Sequence, residues 1–196
     1  MSEESLGDLA TLSVGIARSR KSDAGGATEH PVVNVRDLED GQVRSLGDLD
    51  RVALTERQEK VADRYRVQAG DVLVSCRGTV TKVGLVTEDT AGALVSSNII
   101  LIRPGERLDP RVLFCLLRSP LGRRSLEGIA TGSTIKAINT KNLAKLTMPV
   151  ASVEAQRAFG DLVALAEEQY WLGLEVARDR RLLAHSTVLA RLNGEG

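Results

Sequence analysis

The sequence predicts an α+β protein: a β-rich globular domain with short helices, followed by one long C-terminal helix. Three observations carry this. Val/Ile/Leu runs bounded by Gly, Thr and Asp crowd residues 71–104. From residue 109 the apolar spacing changes from that of strands to that of helices. From Ser152 to Asn193 no proline interrupts a helical pattern. The spacing divides the chain into a domain over residues 1–150 and a helix over 151–196.

Taken in order, "SLGDLATLSVG" predicts a short helix or turn with Leu6, Leu9 and Leu12 on one face. "SRKSDAGGATEHP" has no apolar run and predicts a loop containing His30. "PVVNVRDL" is a strand candidate, and an Asp-Gly turn leads into "DGQVRSL". "LTERQEKVADRY", residues 54–65, predicts a helix capped by Thr55. "DVLVSCRG", "KVGLVT" and "ALVSSNIILIRP" predict strands over 71–78, 82–87 and 93–104. "DPRVLFCLLRSPLGRRSLEGIA" predicts two helical segments broken around Ser119-Pro120.

The last segment, with Ser152 as N-cap and Asn193-Gly194 as stop, predicts a helix of about 60 Å at 1.5 Å per residue. Phe159, Leu162, Val163, Ala166, Tyr170, Leu174 and Ala177 form a stripe, continued less cleanly by Leu182, Leu183, Val188, Leu189 and Leu192. A helix so long exposes an apolar seam, and the expectation is a coiled coil with a partner helix. A break near Gly173 would instead let it fold back on its own domain.

Hydrophobic residues make up 42% and charged residues 27% of the 196-residue chain, enough to bury a core. Aromatics are only 3%, which argues against a module that stacks bases on an aromatic platform. The net charge is zero but uneven. Residues 71–150 carry 11 Lys/Arg against 6 Asp/Glu, whereas 1–70 carry 10 against 13 and 151–196 carry 5 against 7. A basic centre suits a polyanion partner. Cys76 and Cys115 stand alone, without C-x-x-C or a Cys/His cluster, so no metal is expected. The acidic N-terminus lacks an apolar signal region and no membrane-length apolar run occurs, so the expected location is cytoplasmic, with reduced thiols.

No catalytic constellation emerges. His30 and His185 have no neighbouring nucleophile and carboxylate at catalytic spacing. Phosphate-loop, dinucleotide and zinc-protease motifs are absent, and no cofactor is expected. In "ATGSTIKAINTKNLAKLTMPV" the lysine follows Ser-Thr instead of preceding it, so this is not a nucleotide loop. What remains is binding. "SCRGTVTKVGLV" sets Arg77, Thr79 and Lys82 around a turn between two β runs, where they either reach phosphates and base edges or form a plain hairpin.

Three stretches in order, G-D-x-L-x-S-x-R-G-T, S-S-N-x-x-x-I-R-P and A-T-G-S-T-I…L-x-x-L-x-x-P-x-x-x-x-E-x-Q-R, resemble the specificity subunits of type I restriction-modification systems. The resemblance runs from about Leu6 to the end of the long helix. It implies a non-enzymatic target-recognition domain that reads one half of a split site in double-stranded DNA. It also implies a spacer helix that docks a DNA adenine methyltransferase subunit, and possible association with a restriction or translocase subunit. The family's complete subunits carry two such domains and two such helices; this sequence shows one of each. Half-subunit behaviour is therefore expected, as a homodimer paired through Phe159, Leu162, Ala166, Tyr170, Leu174 and Ala177. The DNA-binding candidates are Arg77, Thr79, Lys82, Asn98, Ser133, Thr134, Lys136 and Lys141. The competing expectation is an interaction scaffold, a degenerate half-subunit that binds or regulates a modification complex without reading DNA.

Overall fold

The structure, a computed structural model, describes residues 2–17, 28–132 and 136–193. The chain opens with strand β1 (Ser2–Ser5), the single-turn helix α1 (Leu6–Leu9) and β2 (Ala10–Val14). Next come β3 (Glu29–Val33), the hairpin β4 (Leu38–Glu39) and β5 (Gln42–Val43), and β6 (Asp50–Ala53). Helix α2 (Glu56–Glu59) precedes β7 (Val72–Ser75), β8 (Arg77–Gly78), β9 (Val83–Leu85), β10 (Leu94–Val95) and β11 (Ile99–Pro104). Helices α3 (Pro110–Arg118) and α4 (Pro120–Ile129) follow, then β12 (Lys136–Ala137), α5 (Thr140–Ala144), β13 (Thr147–Val150) and the long α6 (Val153–Leu192).

The central sheet has the order β2-β11-β7-β9-β5-β4, antiparallel except where β5 meets β9. Both its faces are covered. Alternation along β7 and β11 sends Val72, Val74, Ile100 and Ile102 to one core, with Leu6, Leu113, Phe114, Leu117, Leu126 and Leu143. It sends Leu73, Ile99 and Leu101 to the other, with Val33, Leu38 and Val95. A strand buried on both faces needs apolar residues at every position, which is why these runs do not alternate in sequence. Burying each such side chain contributes about 1.5–3 kcal/mol. A second sheet, β10-β3-β6, stands beside the first. At the opposite end of the chain order, β1 pairs antiparallel with β13, so the N-terminal strand lies against the strand that leads into α6.

Several elements differ from the sequence expectations. Leu12 is on β2, not on a helical face with Leu6 and Leu9. Strands β1 and β2 are set by partners distant in sequence, β13 and β11 (Ser2 opposite Val150, Val14 opposite Ile100), which local spacing does not reveal. His30, assigned to a loop, lies within β3, opposite Val52. The strand expected through Leu38 ends at Val33, because Asn34 and Asp37 form a reciprocal capping box around the turn Val35–Asp37. The helix expected over 54–65 is α2 followed by a separate 3-10 turn, Ala62–Tyr65. Thr55 does cap α2, with Gln58 completing a capping box. Val61 leaves helical geometry and lets Ala62 and Tyr65 pack against Leu54 and Leu94. The run 93–104 is two strands in two different sheets, divided by the turn at Ser96–Asn98. Helices α3 and α4 divide at Ser119 as expected; its side chain caps Gly122 and Pro120 starts the second helix.

Helix α6 runs unbroken through Gly173. Ser152 caps its start, accepting from Ala155 N–H at 3.2 Å. No helix among the described residues is long and apolar enough to cross a membrane.

Candidate nucleic-acid interface

The loop between β7 and β9 is closed at its base by two hydrogen bonds. Ser75 N–H donates to Lys82 O at 2.9 Å. Lys82 N–H donates back to Ser75 Oγ at 2.8 Å. Inside this loop Cys76 joins three segments. Its N–H donates to Asn98 O at 2.8 Å, and its carbonyl accepts from Ile138 N–H at 3.0 Å. Beyond it, β8 and β12 form a two-stranded ribbon in which Arg77 faces Ala137 and Gly78 faces Lys136. Thr131 and Ala137 exchange backbone hydrogen bonds at 2.9 and 2.8 Å and extend the ribbon toward α4.

This arrangement gathers Arg77, Thr79, Asn98 and the backbone of Lys136 at one end of the domain, although they come from three stretches of sequence. The side chains of Arg77, Thr79 and Asn98 are exposed, and the Arg77 side chain makes no hydrogen bond or ion pair with another described residue. Ser133 and Thr134 lie outside the described residues, and only the backbone of Lys136 is described. Lys82 sits differently from the expectation. It is half-buried and its Nζ donates to Leu38 O at 2.8 Å, so its ammonium ties the loop to the β4–β5 hairpin. Lys141 is exposed, but on α5, which packs against α1, α4 and β2 and not on the ribbon.

A cleft of about 370 Å³ adjoins the ribbon, walled by Gly78–Val83, the hairpin residues Leu38–Gly41, and α3 and α4. Arg123 lines it and is exposed, with Arg124 beside it in sequence. Nothing local in "SPLGRRSLEG" marks Arg123 as a neighbour of the loop; the fold brings it there. Arg118, also in the wall, is engaged internally. It donates to Asp40 Oδ1 at 2.8 Å and Glu167 Oε1 at 3.0 Å, and lies 4.9 Å from the centre of the Phe114 ring.

Besides the Arg118–Glu167 pair, three anchors hold the first part of α6 to the domain. Gln156, 2% exposed, donates to Arg107 O and Ala151 O and accepts from Asp109 N–H. Arg111 bridges Asp109 and Asp161, with Gly160 so close that an added Cβ would lie 2.6 Å from the guanidinium. Farther along, Tyr170 OH donates to Asp40 Oδ2 at 2.5 Å. The expected apolar stripe is therefore shared between two faces. Val163 packs on the core, while Tyr170 and Leu174 lie toward the hairpin side. Phe159 and Leu162 are exposed, as are Ala166 and Ala177. On the face turned away from the domain, Leu162, Leu165, Leu172, Val176 and Leu183 recur at heptad-compatible spacing and are 40–67% exposed.

Two titrating groups report on these surroundings. Burial pushes the Cys76 thiol up, only partly opposed by the Arg77 charge. Burial works to raise the Asp109 carboxyl, but hydrogen bonds from Arg111 outweigh it and hold the group below the usual carboxylate range. Among the described residues no group of three or more His, Cys, Asp or Glu could hold a metal ion. The exposed end offers a guanidinium from β8, a hydroxyl from the loop after it and a carboxamide from the Ser96–Asn98 turn. Those groups suit phosphate oxygens and base edges.

The family model for the type I restriction modification DNA specificity domain matches residues 2–163. No curated protein matches the sequence. Among solved structures, a chain from work on complex assembly and conformational transition of the type I R-M system superposes with a TM-score of 0.62 at 18% identity. The HsdS subunit from Thermoanaerobacter tengcongensis does so at 0.56 and 18% identity. The type I restriction-modification S subunit from M. genitalium does so at 0.54 and 16% identity. The matches cover 86%, 86% and 85% of this chain but only 38%, 37% and 39% of those chains. At these identities the likeness is one of fold.

Proposed function

The chain belongs to the type I restriction modification DNA specificity domain family, and from that premise we propose that it reads one half of a split DNA site for a modification complex. The observation that carries this reading is the family match across residues 2–163. The exposed end of the domain supports it, because β8, β12 and the Ser96–Asn98 turn present Arg77, Thr79 and Asn98 together. In this reading Arg77 contacts a base edge, and Thr79 and Asn98 add hydrogen bonds. Arg123, Lys136 and Lys141, with the Ser133-Thr134 stretch, contact phosphate.

Helix α6 is the proposed docking element for a DNA adenine methyltransferase subunit, with which a restriction or translocase subunit would associate. Its outer strip of Leu162, Leu165, Leu172, Val176 and Leu183 suits a second helix of the same kind. In a second copy of this chain, a twofold antiparallel pairing would favour a symmetric interrupted site. The alternative, a scaffold that binds the complex without reading DNA, is favoured by the zero net charge and by the internal engagement of Lys82 and Arg118.

A mobility-shift titration with and without an adenine methyltransferase subunit separates the two. Sequence-dependent retention of duplex DNA supports recognition. Assembly with the methyltransferase but no sequence dependence supports the scaffold.

A further inference from the structure

Asp40 lies at the tip of the β4–β5 hairpin, where it and Gly41 have φ of 45° and 93°, the turn geometry that suits the twist of two short strands. Its two carboxylate oxygens are divided between two helices. Oδ1 takes Arg118 of α3, and Oδ2 takes the hydroxyl of Tyr170 of α6. Arg118 reaches α6 as well, through Glu167.

The same hairpin holds the exposed loop. Leu38 O accepts the Lys82 ammonium at 2.8 Å, and Gly41 O accepts Leu85 N–H at 3.0 Å. Glu39, Asp40 and Gly41 line the same cleft as Thr79, Val80 and Thr81. An unbroken series of contacts therefore runs from Tyr170 through Asp40 and the hairpin to the loop that carries Arg77 and Thr79.

The anchors nearer the start of α6 do not do this. Gln156 and Arg111 bind it to residues 107–111, at the start of α3. They fix where the helix leaves the domain. Farther along, α6 is held by Glu167 against Arg118 and by Tyr170 against Asp40, and Tyr170 stands about 21 Å beyond Gln156 at 1.5 Å per residue.

We propose that Asp40 and Tyr170 are positioning residues that fix the direction of α6 relative to the loop at 77–82, and so the half-site spacing that the assembled protein accepts. This rests on the functional reading above. The lever is long enough to matter. From Tyr170 to Leu192 the helix extends about 33 Å. A swing of about 10° moves its tip by roughly 6 Å, against a rise of about 3.4 Å per base pair.

The test is a selection from DNA pools in which two half-sites are held at every spacing over one helical turn. It uses the full chain with its methyltransferase subunit, comparing wild type, Tyr170→Phe and Asp40→Asn. Tyr170→Phe keeps the ring and removes only the hydroxyl, so the fold is retained. Wild type concentrates on one spacing. Both variants spread to adjacent spacings, their preference falling about tenfold, the scale of one hydrogen bond to a charged group, with half-site sequence unchanged. Variants that keep the wild-type spacing, even with a lowered melting temperature, overturn the positioning role and leave a purely structural clamp. If wild type selects no split site at all, the functional reading fails first and the positioning role falls with it.

Discussion

Gln156 donates its carboxamide to the main-chain oxygen of Arg107 at 2.9 Å, joining the first turn of α6 to the segment that precedes α3. The same side chain accepts from Asp109 N–H, so one buried group satisfies backbone on both sides of the junction. Replacing Gln156 with Ala leaves those groups unpaired in a site that is 2% exposed. The expected cost is about 2–4 kcal/mol, most of it from the orphaned polar groups. Urea unfolding of the single variant measures it. A loss below about 0.5 kcal/mol, the range of ordinary surface substitutions, would contradict the assigned role.

Asp109 makes stability depend on acid. Its carboxyl is held below the usual range in the folded chain, so its contribution is fully present above the unfolded value of about 3.9 and is lost as pH falls through the folded value. Asp109→Asn keeps a capping side chain but removes the titration. Wild type should therefore be the more stable of the two near neutrality, with the difference shrinking below about pH 4. Melting temperatures of both proteins across an acid series check this; parallel curves would contradict it.

The two thiols should react in sequence. Cys115 is exposed, whereas Cys76 is buried and its thiol is held above its ordinary pKa. The thiolate is the reactive form, so a thiol reagent at neutral pH should modify Cys115 quickly and Cys76 only after denaturant is added. Mass spectrometry of partly labelled protein reads the order directly.

Three cations should behave in three ways. Arg77→Ala should relax one position of the DNA site, at about 1–3 kcal/mol. Lys141→Ala should weaken all sequences alike and reduce the salt slope by about one. Lys82→Ala should leave the salt slope unchanged and lower folding stability by about 1 kcal/mol, because its ammonium serves Leu38 O. Binding isotherms at several salt concentrations, paired with unfolding curves, distinguish the three.

On the outer face of α6, Leu165→Asp with Leu172→Asp should abolish self-association without changing the stability of the domain. Both side chains are more than half exposed and belong to neither core of the central sheet. Light scattering at micromolar concentration tests this, and a wild type that is already monomeric would remove the proposed pairing.

Local chemistry made some of the fold legible. Ser119-Pro120 marked the division of α3 from α4, Thr55 and Ser152 marked helix starts, and Asp40-Gly41 marked the hairpin. Elements defined by distant partners were not legible. β1 and β2 carry no strong pattern, and Ser2–Ser5 becomes a strand only against β13. The seam on α6 shows the same limit. Apolar spacing alone does not say which side of the helix the domain occupies, and Asp40 and Arg111 decide it from outside the helix. At the candidate interface, Arg77 and Thr79 could be read from the turn that carries them. Arg123 could not, because its relevance lies in a cleft formed with residues some forty positions away or more.

The most direct test of the central claim is selection of bound duplexes from a random pool by this chain with its methyltransferase subunit, alongside the Arg77→Ala variant. The account predicts a split site enriched by wild type, and the same site with one position relaxed in the variant. An assembled complex that enriches no sequence, or a site unchanged by the loss of Arg77, would contradict it.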